Sequence, residues 1–385
     1  MTACDAIVVG GGPAGSSCAR RLGDAGWNVV VLDRAQFPRD KVCAGWLTAA
    51  VFPLLDLTPE EYRASGATLQ EITGFRTRVI GRQPIETRYP RTISYAIRRC
   101  EFDDFLLRRS GAHVFGNTPV SSIRRSGERW LVNDRFEAPV IVGAGGHFCP
   151  VARHMRGGPD TSAPVVAKEA EFRLNGDPGA LAADLPELLF CHDLQGYAWC
   201  VRKEGYVNVG IGRRGSQDFN RHVQAFTGLL DQTMNIRTPA SAQWRGHAYL
   251  AWGVGPRPVA SDGVLLVGDA AGLAYPESGE GIRPAIESGQ MAAAALIGAG
   301  GRYRADALRP SAATLERRHP PRKPGSRASD TVSAALGRAL LQSSIFTRHV
   351  VIDRWFLRSR MPRLVLQPSF PAPPPPLTGC QPASS

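Results

Sequence analysis

The sequence predicts an α/β fold in which a parallel, helix-flanked sheet is interleaved with a smaller antiparallel one. Three observations carry that expectation. A strand–helix–strand unit opens the chain, glycine-rich strand ends return near 143 and 268, and residues 164–250 switch to the period-two alternation of half-buried strands. In order, residues 5–10 form an apolar run ending in glycines, 14–25 have helical spacing, and 28–33 read NVVVLD. A helical pattern follows at 101–109 (EFDDFLLRR), then strand-like runs at 113–116, 120–124 and 129–133, then APVIVGAGG at 138–146. The runs VVAKEAEFRL, YAWCVRK and YVNVGIG supply the antiparallel sheet. The α/β character resumes with GVLLVGDAAG at 263–272 and an alanine-rich helix at 281–296. Helical segments continue through 301–365, interrupted by a Pro/Arg-rich stretch at 319–327. The tail from 367, with PAPPPP and QPASS, has too little to bury and is expected to be disordered.

At 385 residues, 43% hydrophobic and 21% charged, the chain has ordinary globular usage, which excludes a collagen-like, coiled-coil or wholly disordered protein. No stretch approaches the roughly 18 apolar residues needed to cross a bilayer. The opening MTACDAIVVGGGPAG lacks the basic start and cleavage site of a signal peptide, so a cytoplasmic protein is expected. The 8 cysteines are scattered without CxxC spacing, which argues against zinc or iron–sulfur sites. Net charge is +12, yet only four of the 46 basic residues are lysines, and residues 300–365 alone carry fourteen basic against four acidic side chains. That distribution argues against nucleic acid. It leaves a basic C-terminal region suited to a peripheral membrane surface or an electron-donor partner.

Gly10, Gly12 and Gly15 form G-x-G-x-x-G directly after a strand and at the opening of a helix, with Asp33 ending the next strand. The first glycine permits the tight turn, the second lets backbone approach a pyrophosphate, and the third lets helix and strand pack closely. Pro13 and Ala14 start the helix, whose N-terminal N–H groups suit a diphosphate. Asp33, followed by Arg34, is placed to accept from a ribose 2′-hydroxyl, and its charge disfavours a 2′-phosphate there. Some 230 residues on, Gly268 and Asp269 follow the strand VLLV, and Gly279, Gly281 and Ile282 lead into a second helix. Two distant glycine-rich strand ends suit a long cofactor, which favours FAD over NAD. Asp269 can bind a ribityl hydroxyl, and the helix start at Gly281 aims partial positive charge at the flavin pyrimidine edge. The competing readings are a chance glycine-rich turn and a helix-capping Asp269.

The segments GGGPAGSSCARRL, FPRDKVCAG (37–45), RRCEFDDFL (98–106) and GDAAGLAYPESGEGIRPAIESG (268–289) together resemble the geranylgeranyl reductase branch of the FAD-dependent oxidoreductases. That branch shares its fold with the flavin aromatic hydroxylases, and the likeness spans residues 1 to about 300. TRHVVIDRWFL (347–357) is similar to C-terminal helices of related bacterial members. The resemblance implies non-covalent FAD in a Rossmann-like domain, with Arg99 near the cofactor. The order of the elements, with the antiparallel sheet inserted into the α/β layer, leads to an expected discontinuous FAD-binding domain of 1–70, 96–150 and 255–300, a substrate domain of 71–95 and 151–254, a helical region of 301–366 and a tail of 367–385.

Lys41, Cys43 and Gly45 occupy the loop where the branch keeps a similar K-x-C-G signature near the ring, here with Ala44 between Cys43 and Gly45. Two readings stand for Cys43: a proton donor to substrate carbon, or an inert loop thiol. Tyr197, Trp199 and Lys203 resemble the motif Y-x-W-x-F-P-K; the two aromatics share a strand face and can wall one apolar cavity or serve in sheet packing. Val201 and Arg202 replace Phe-Pro. Glu169 and Glu171, alternating on a neighbouring strand, can face either solvent or the cavity, and solvent is the expected side. Gly145 stands where hydroxylase relatives have aspartate, and a halogenase W-x-W-x-I-P stretch is missing from the sequence. No second glycine fingerprint exists for a nicotinamide domain, so electrons would come from transiently docked NAD(P)H or another donor. The leading expectation is reduction of C=C bonds in an apolar, prenyl-like substrate. The alternatives are an FAD-dependent monooxygenase of an aromatic or polyketide-like substrate, a quinone-linked dehydrogenase, and a non-catalytic flavin-binding protein.

Overall fold

The computed structural model describes residues 1–158, 162–174, 181–215, 217–253, 258–318 and 330–366. The expectations for 319–327 and for the tail from 367 lie outside these residues.

Among the described residues, a six-stranded sheet runs in the order Ala260–Ser261, Val264–Leu266, Val140–Gly143, Ala6–Val9, Val29–Leu32, His113–Phe115. All pairs are parallel except the antiparallel edge at Ala260–Ser261. Its inner strands AIVV, VVVL and VIVG are buried throughout, as a sheet covered on both faces requires. The helices Pro13–Asp24 and Ile282–Ala299 pack together on one face, and their contact is close because Gly289 sits on the first helix: a Cβ there would lie 2.2 Å from the Ala14 carbonyl oxygen. The other face carries a four-stranded sheet, Thr2–Ala3, Phe136–Ala138, Arg129–Val132 and Ile123–Ser126. The strand expected at 120–124 begins instead at Ile123, because Pro119 offers no N–H and the Ser121 and Ser122 N–H groups donate to the Asn133 side chain instead of to a neighbouring strand.

The second large sheet has seven strands, in the order Arg245–Tyr249, Val165–Arg173, Tyr206–Arg214, Gly196–Lys203, Glu187–Phe190, Gly74–Val79, Ile85–Arg88. It is mixed rather than wholly antiparallel, since Glu187–Phe190 pairs parallel with Gly74–Val79. One face packs on the helix Phe219–Met234 through Val223, Phe226 and Leu230. The other turns Trp199 and Tyr197 toward the first sheet and the C-terminal π-helix Thr347–Phe356. Among the described residues no helix is long and apolar enough to cross a membrane.

Candidate functional site

Both glycine-rich crests border one cleft of about 700 Å³. Gly10 has φ +113°, and a Cβ would lie 2.4 Å from the Ala144 carbonyl oxygen, so only glycine fits. At Gly15 a Cβ would sit 1.9 Å from the Gly10 carbonyl oxygen, which is the close helix-to-turn packing the motif implies. Gly12 differs: its Cβ would meet only the Arg39 guanidinium at 3.3 Å, so its backbone stays open for a ligand to approach. The helix behind it starts at Pro13 with Gly12 as an N-cap lacking a capping side chain, and Pro13 and Ala14 line the cleft. Asp33 Oδ2 accepts from the Gly11 N–H at 2.8 Å and Oδ1 from the Ala35 N–H at 2.9 Å. Each carboxylate oxygen keeps a lone pair for a ribose hydroxyl, and Arg34 lines the wall beside it.

On the far crest, Gly268 turns at φ +58° and presents Asp269, whose side chain is one-fifth exposed to the cleft. Burial alone would raise this carboxyl, but His247 and the charges of Lys41 and Arg99 hold it down at about 2. Lys41 Nζ lies 2.6 Å from His247 Nε2 and 3.9 Å from Asp269 Oδ2. Gly279, Gly281 and Ile282 border the same cleft, and Gly281 caps the long second helix. Arg99 is buried, holds Asp103 with two bonds of 2.8 Å, and turns toward the Cys43 thiol. A cleft with a phosphate-sized glycine turn at one end and a ribityl-accessible acid at the other fits FAD. The residues present would hold its diphosphate at Gly10–Gly15 and its adenosine ribose at Asp33, with the ribityl chain at Asp269.

Beyond Asp269 the wall becomes aromatic. Tyr197 and Trp199 line the cleft from one strand face, and Gly210 makes room for the indole: a Cβ there would lie 2.3 Å from Trp199 Cζ2. Trp199 Nε1 donates to Asn208 Oδ1 at 2.7 Å, and the Tyr197 hydroxyl donates to the Ser278 carbonyl. Phe356 of the π-helix backs Tyr197 and Trp46, with centroids 5.5 and 5.7 Å away. Cys43 stands half-buried in this wall with its Sγ 3.4 Å from the Gly45 amide.

Lys203 is not in the cleft wall. It shares the face of Tyr197 and Trp199 but lies two repeats beyond Trp199, fully buried under Gly45 and bonded to Glu171 Oε2 at 2.7 Å. The solvent-facing expectation for Glu169 and Glu171 is also corrected. Glu169 is buried and accepts from the Cys43 N–H at 2.8 Å and from Asn208 Nδ2 at 3.2 Å. Glu171 is tied to Lys203 and, at 2.9 Å, to Arg98. For Glu171 these pairings outweigh the desolvation that would otherwise exclude its charge.

The comparisons with known proteins agree with this geometry. Residues 5–103 match the FAD dependent oxidoreductase family model. A digeranylgeranylglycerophospholipid reductase of Methanothrix thermoacetophila is 30% identical over 318 residues, which are 75% of this chain and 76% of that protein. The chain belongs to the geranylgeranyl reductase family of FAD-dependent oxidoreductases. A geranylgeranyl bacteriochlorophyll reductase-like protein of Thermoplasma acidophilum shares the fold, with TM-score 0.69, 21% identity and 91% of each chain covered. So does PqsL, a probable FAD-dependent monooxygenase of Pseudomonas aeruginosa, at TM-score 0.66 and 18% identity over 91% of this chain and all of that one.

Within this reductase-family site, His247, Tyr249, Asn208, Glu169 and Glu280 were not singled out as site residues from sequence. His247 and Tyr249 stack at 6.4 Å on an edge strand, and the only sequence cue was their i, i+2 spacing. Burial pushes the Glu169 carboxyl up to about 7, only partly offset by Lys203 and Asn208. An acid whose folded value is raised loses stability as pH climbs from its unfolded value, about 4.5, through about 7. Glu169→Gln keeps an oxygen for the Cys43 N–H and removes the titration. Melting temperatures measured from pH 4.5 to 8.5 are expected to show the variant gaining on the wild type up to about pH 7 and then holding level. A flat difference across that range would contradict the assignment.

Proposed function

We propose that the enzyme reduces C=C bonds of a polyprenyl chain held against the aromatic wall. The carrying observation is that Tyr197 and Trp199 line the same open cleft as Asp269, with their polar atoms satisfied by Ser278 and Asn208. The surface offered to a ligand is therefore apolar. FAD, once bound and reduced by an electron donor, would supply hydride to one alkene carbon. The chain's own part is to hold the alkene, exclude water and protonate the other carbon. Cys43 stands in the wall, and its loop is fixed by Glu169 and by Asn208 Nδ2, 3.4 Å from the Cys43 carbonyl oxygen. Its thiol is the proposed proton donor. NAD(P)H docking transiently is the proposed electron source, in keeping with the lack of a second glycine fingerprint. The similarity to the Methanothrix thermoacetophila digeranylgeranylglycerophospholipid reductase supports the substrate class. Hydroxylation finds support in fold similarity alone, and Gly145 speaks against it.

A membrane carrying anionic lipid is the proposed source of such a substrate. Leu336, Leu340 and Ile345 are exposed at 62%, 38% and 72%, beside exposed Arg348 and Arg354, on the segment that leads into the π-helix backing Tyr197.

Reduced enzyme incubated anaerobically with geranylgeranyl compounds is expected to reoxidise its flavin and yield products heavier by about two mass units, one added H₂ per alkene. Trp199→Ala should slow that reoxidation at least tenfold. Absence of both flavin reoxidation and a heavier product would refute C=C reduction, and oxygen uptake stimulated by an aromatic ligand would favour hydroxylation. Cosedimentation with phosphatidylglycerol vesicles is expected and should fall severalfold in Leu336→Ser/Ile345→Ser. Equal binding to neutral vesicles, or none at all, would remove the membrane proposal.

A further inference from the structure

Glu280 has no part in the mechanism so far, yet its position is unusual for an acid. The residue is 7% exposed, and neither carboxylate oxygen makes a hydrogen bond of ordinary geometry, the Arg283 backbone N–H being a weak donor beside it. A buried carboxylate so weakly partnered is costly and needs a compensating reason. It lies between Gly279 and Gly281, which border the cofactor cleft, and a Cβ on Gly281 would be 3.3 Å from Asp269 Oδ1.

The backbone on either side is pinned. The Tyr275 N–H donates to the Glu280 carbonyl at 2.9 Å, the Gly279 N–H to the Tyr275 carbonyl at 2.8 Å, and the Glu280 N–H to Ser278 Oγ at 3.3 Å. The turn that lines the cleft is therefore held by its own backbone on both sides of the Glu280 side chain. The charged and titratable groups around it come from three packed elements as well as its own loop. Arg283 and Glu287 face it from the following helix, Arg358 from the C-terminal segment, Tyr197 from the second sheet and Tyr275 from the loop itself. Both arginines are engaged elsewhere: Arg283 binds Glu287 at 2.9 Å, a carboxylate that also takes Arg318, and Arg358 binds Glu277 at 2.9 Å. Burial, partly offset by Arg283 and Arg358, pushes the Glu280 carboxyl up to about 7.

We propose that Glu280 is a redox-linked proton site, taking up a proton from solvent when the bound flavin gains two electrons. Oxidised FAD, the Glu280 carboxylate, two electrons and two protons give the anionic reduced flavin, protonated at N5, and the Glu280 carboxylic acid. An added negative charge on the ring raises the affinity of a neighbouring buried carboxylate for a proton, so charge is balanced without protonating the ring a second time. The inference rests on FAD binding and not on the C=C reading, so failure of either leaves the other standing.

The test is the midpoint potential of the FAD-loaded protein against pH, with the spectrum of the reduced form recorded at each point. Above about pH 7 the wild type is expected to show a slope twice that of Glu280→Gln, with an anionic reduced spectrum in both. The same slope in the two proteins would overturn the proposal, as would a neutral reduced spectrum in the wild type, which places the second proton on the ring. If the variant fails to hold FAD, the wild type decides alone. A slope that steepens to the two-proton value with an anionic spectrum supports the site, and a one-proton slope throughout overturns it.

Discussion

The site depends on the parallel register of three strands. Val264–Leu266, Val140–Gly143 and Ala6–Val9 are neighbours pointing the same way, so their carboxyl ends share one edge of the sheet. The ladder continues into the turns themselves: the Val267 N–H donates to the Gly143 carbonyl, Ala144 to Val9, and Gly10 to Leu32. Two turns separated by more than 250 residues are thereby held about 10 Å apart, two strand spacings. A ligand as long as a dinucleotide can touch both, and the crossing of the two helices at Gly289 fixes the angle at which their N-termini meet it.

The second sheet is joined to that edge by side chains. Tyr197 reaches the carbonyl of Ser278, Tyr249 occupies the space a Cβ at Gly279 would need, and Lys41 and His247 close on Asp269. Cofactor cradle and aromatic wall are consequently one structure. The Cys43 loop lies between them on a polar base in which Lys203 pairs with Glu171 while Glu169 accepts from the Cys43 N–H and Asn208.

What sequence made legible follows from where the physics is local. The turn at Gly10–Gly15, the acid at 33 and the crest at 268–282 are short motifs whose spacing is dictated by backbone contacts, and all of them border the cleft. The aromatic pair was readable because strand periodicity puts 197 and 199 on one face. The same periodicity misled at Lys203, since alternation gives the face but not how far along the strand the cavity extends. Glu169 looked solvent-facing because charged residues ordinarily are. Its partners, the Cys43 amide and Asn208, are distant in sequence and become visible only once the sheet forms. His247 and Glu280 were silent for the same reason: their significance is a matter of burial and neighbours, which no local pattern carries.

The central claim, that one FAD spans both crests, is tested most directly by measuring FAD, ADP and FMN affinities for the wild type, Gly12→Val and Asp269→Asn. The account predicts one FAD per chain, bound more tightly than either fragment. Gly12→Val should weaken FAD and ADP while sparing FMN, and Asp269→Asn should weaken FAD and FMN while sparing ADP. FAD binding untouched by Asp269→Asn, or no flavin uptake by the folded wild type, would contradict it.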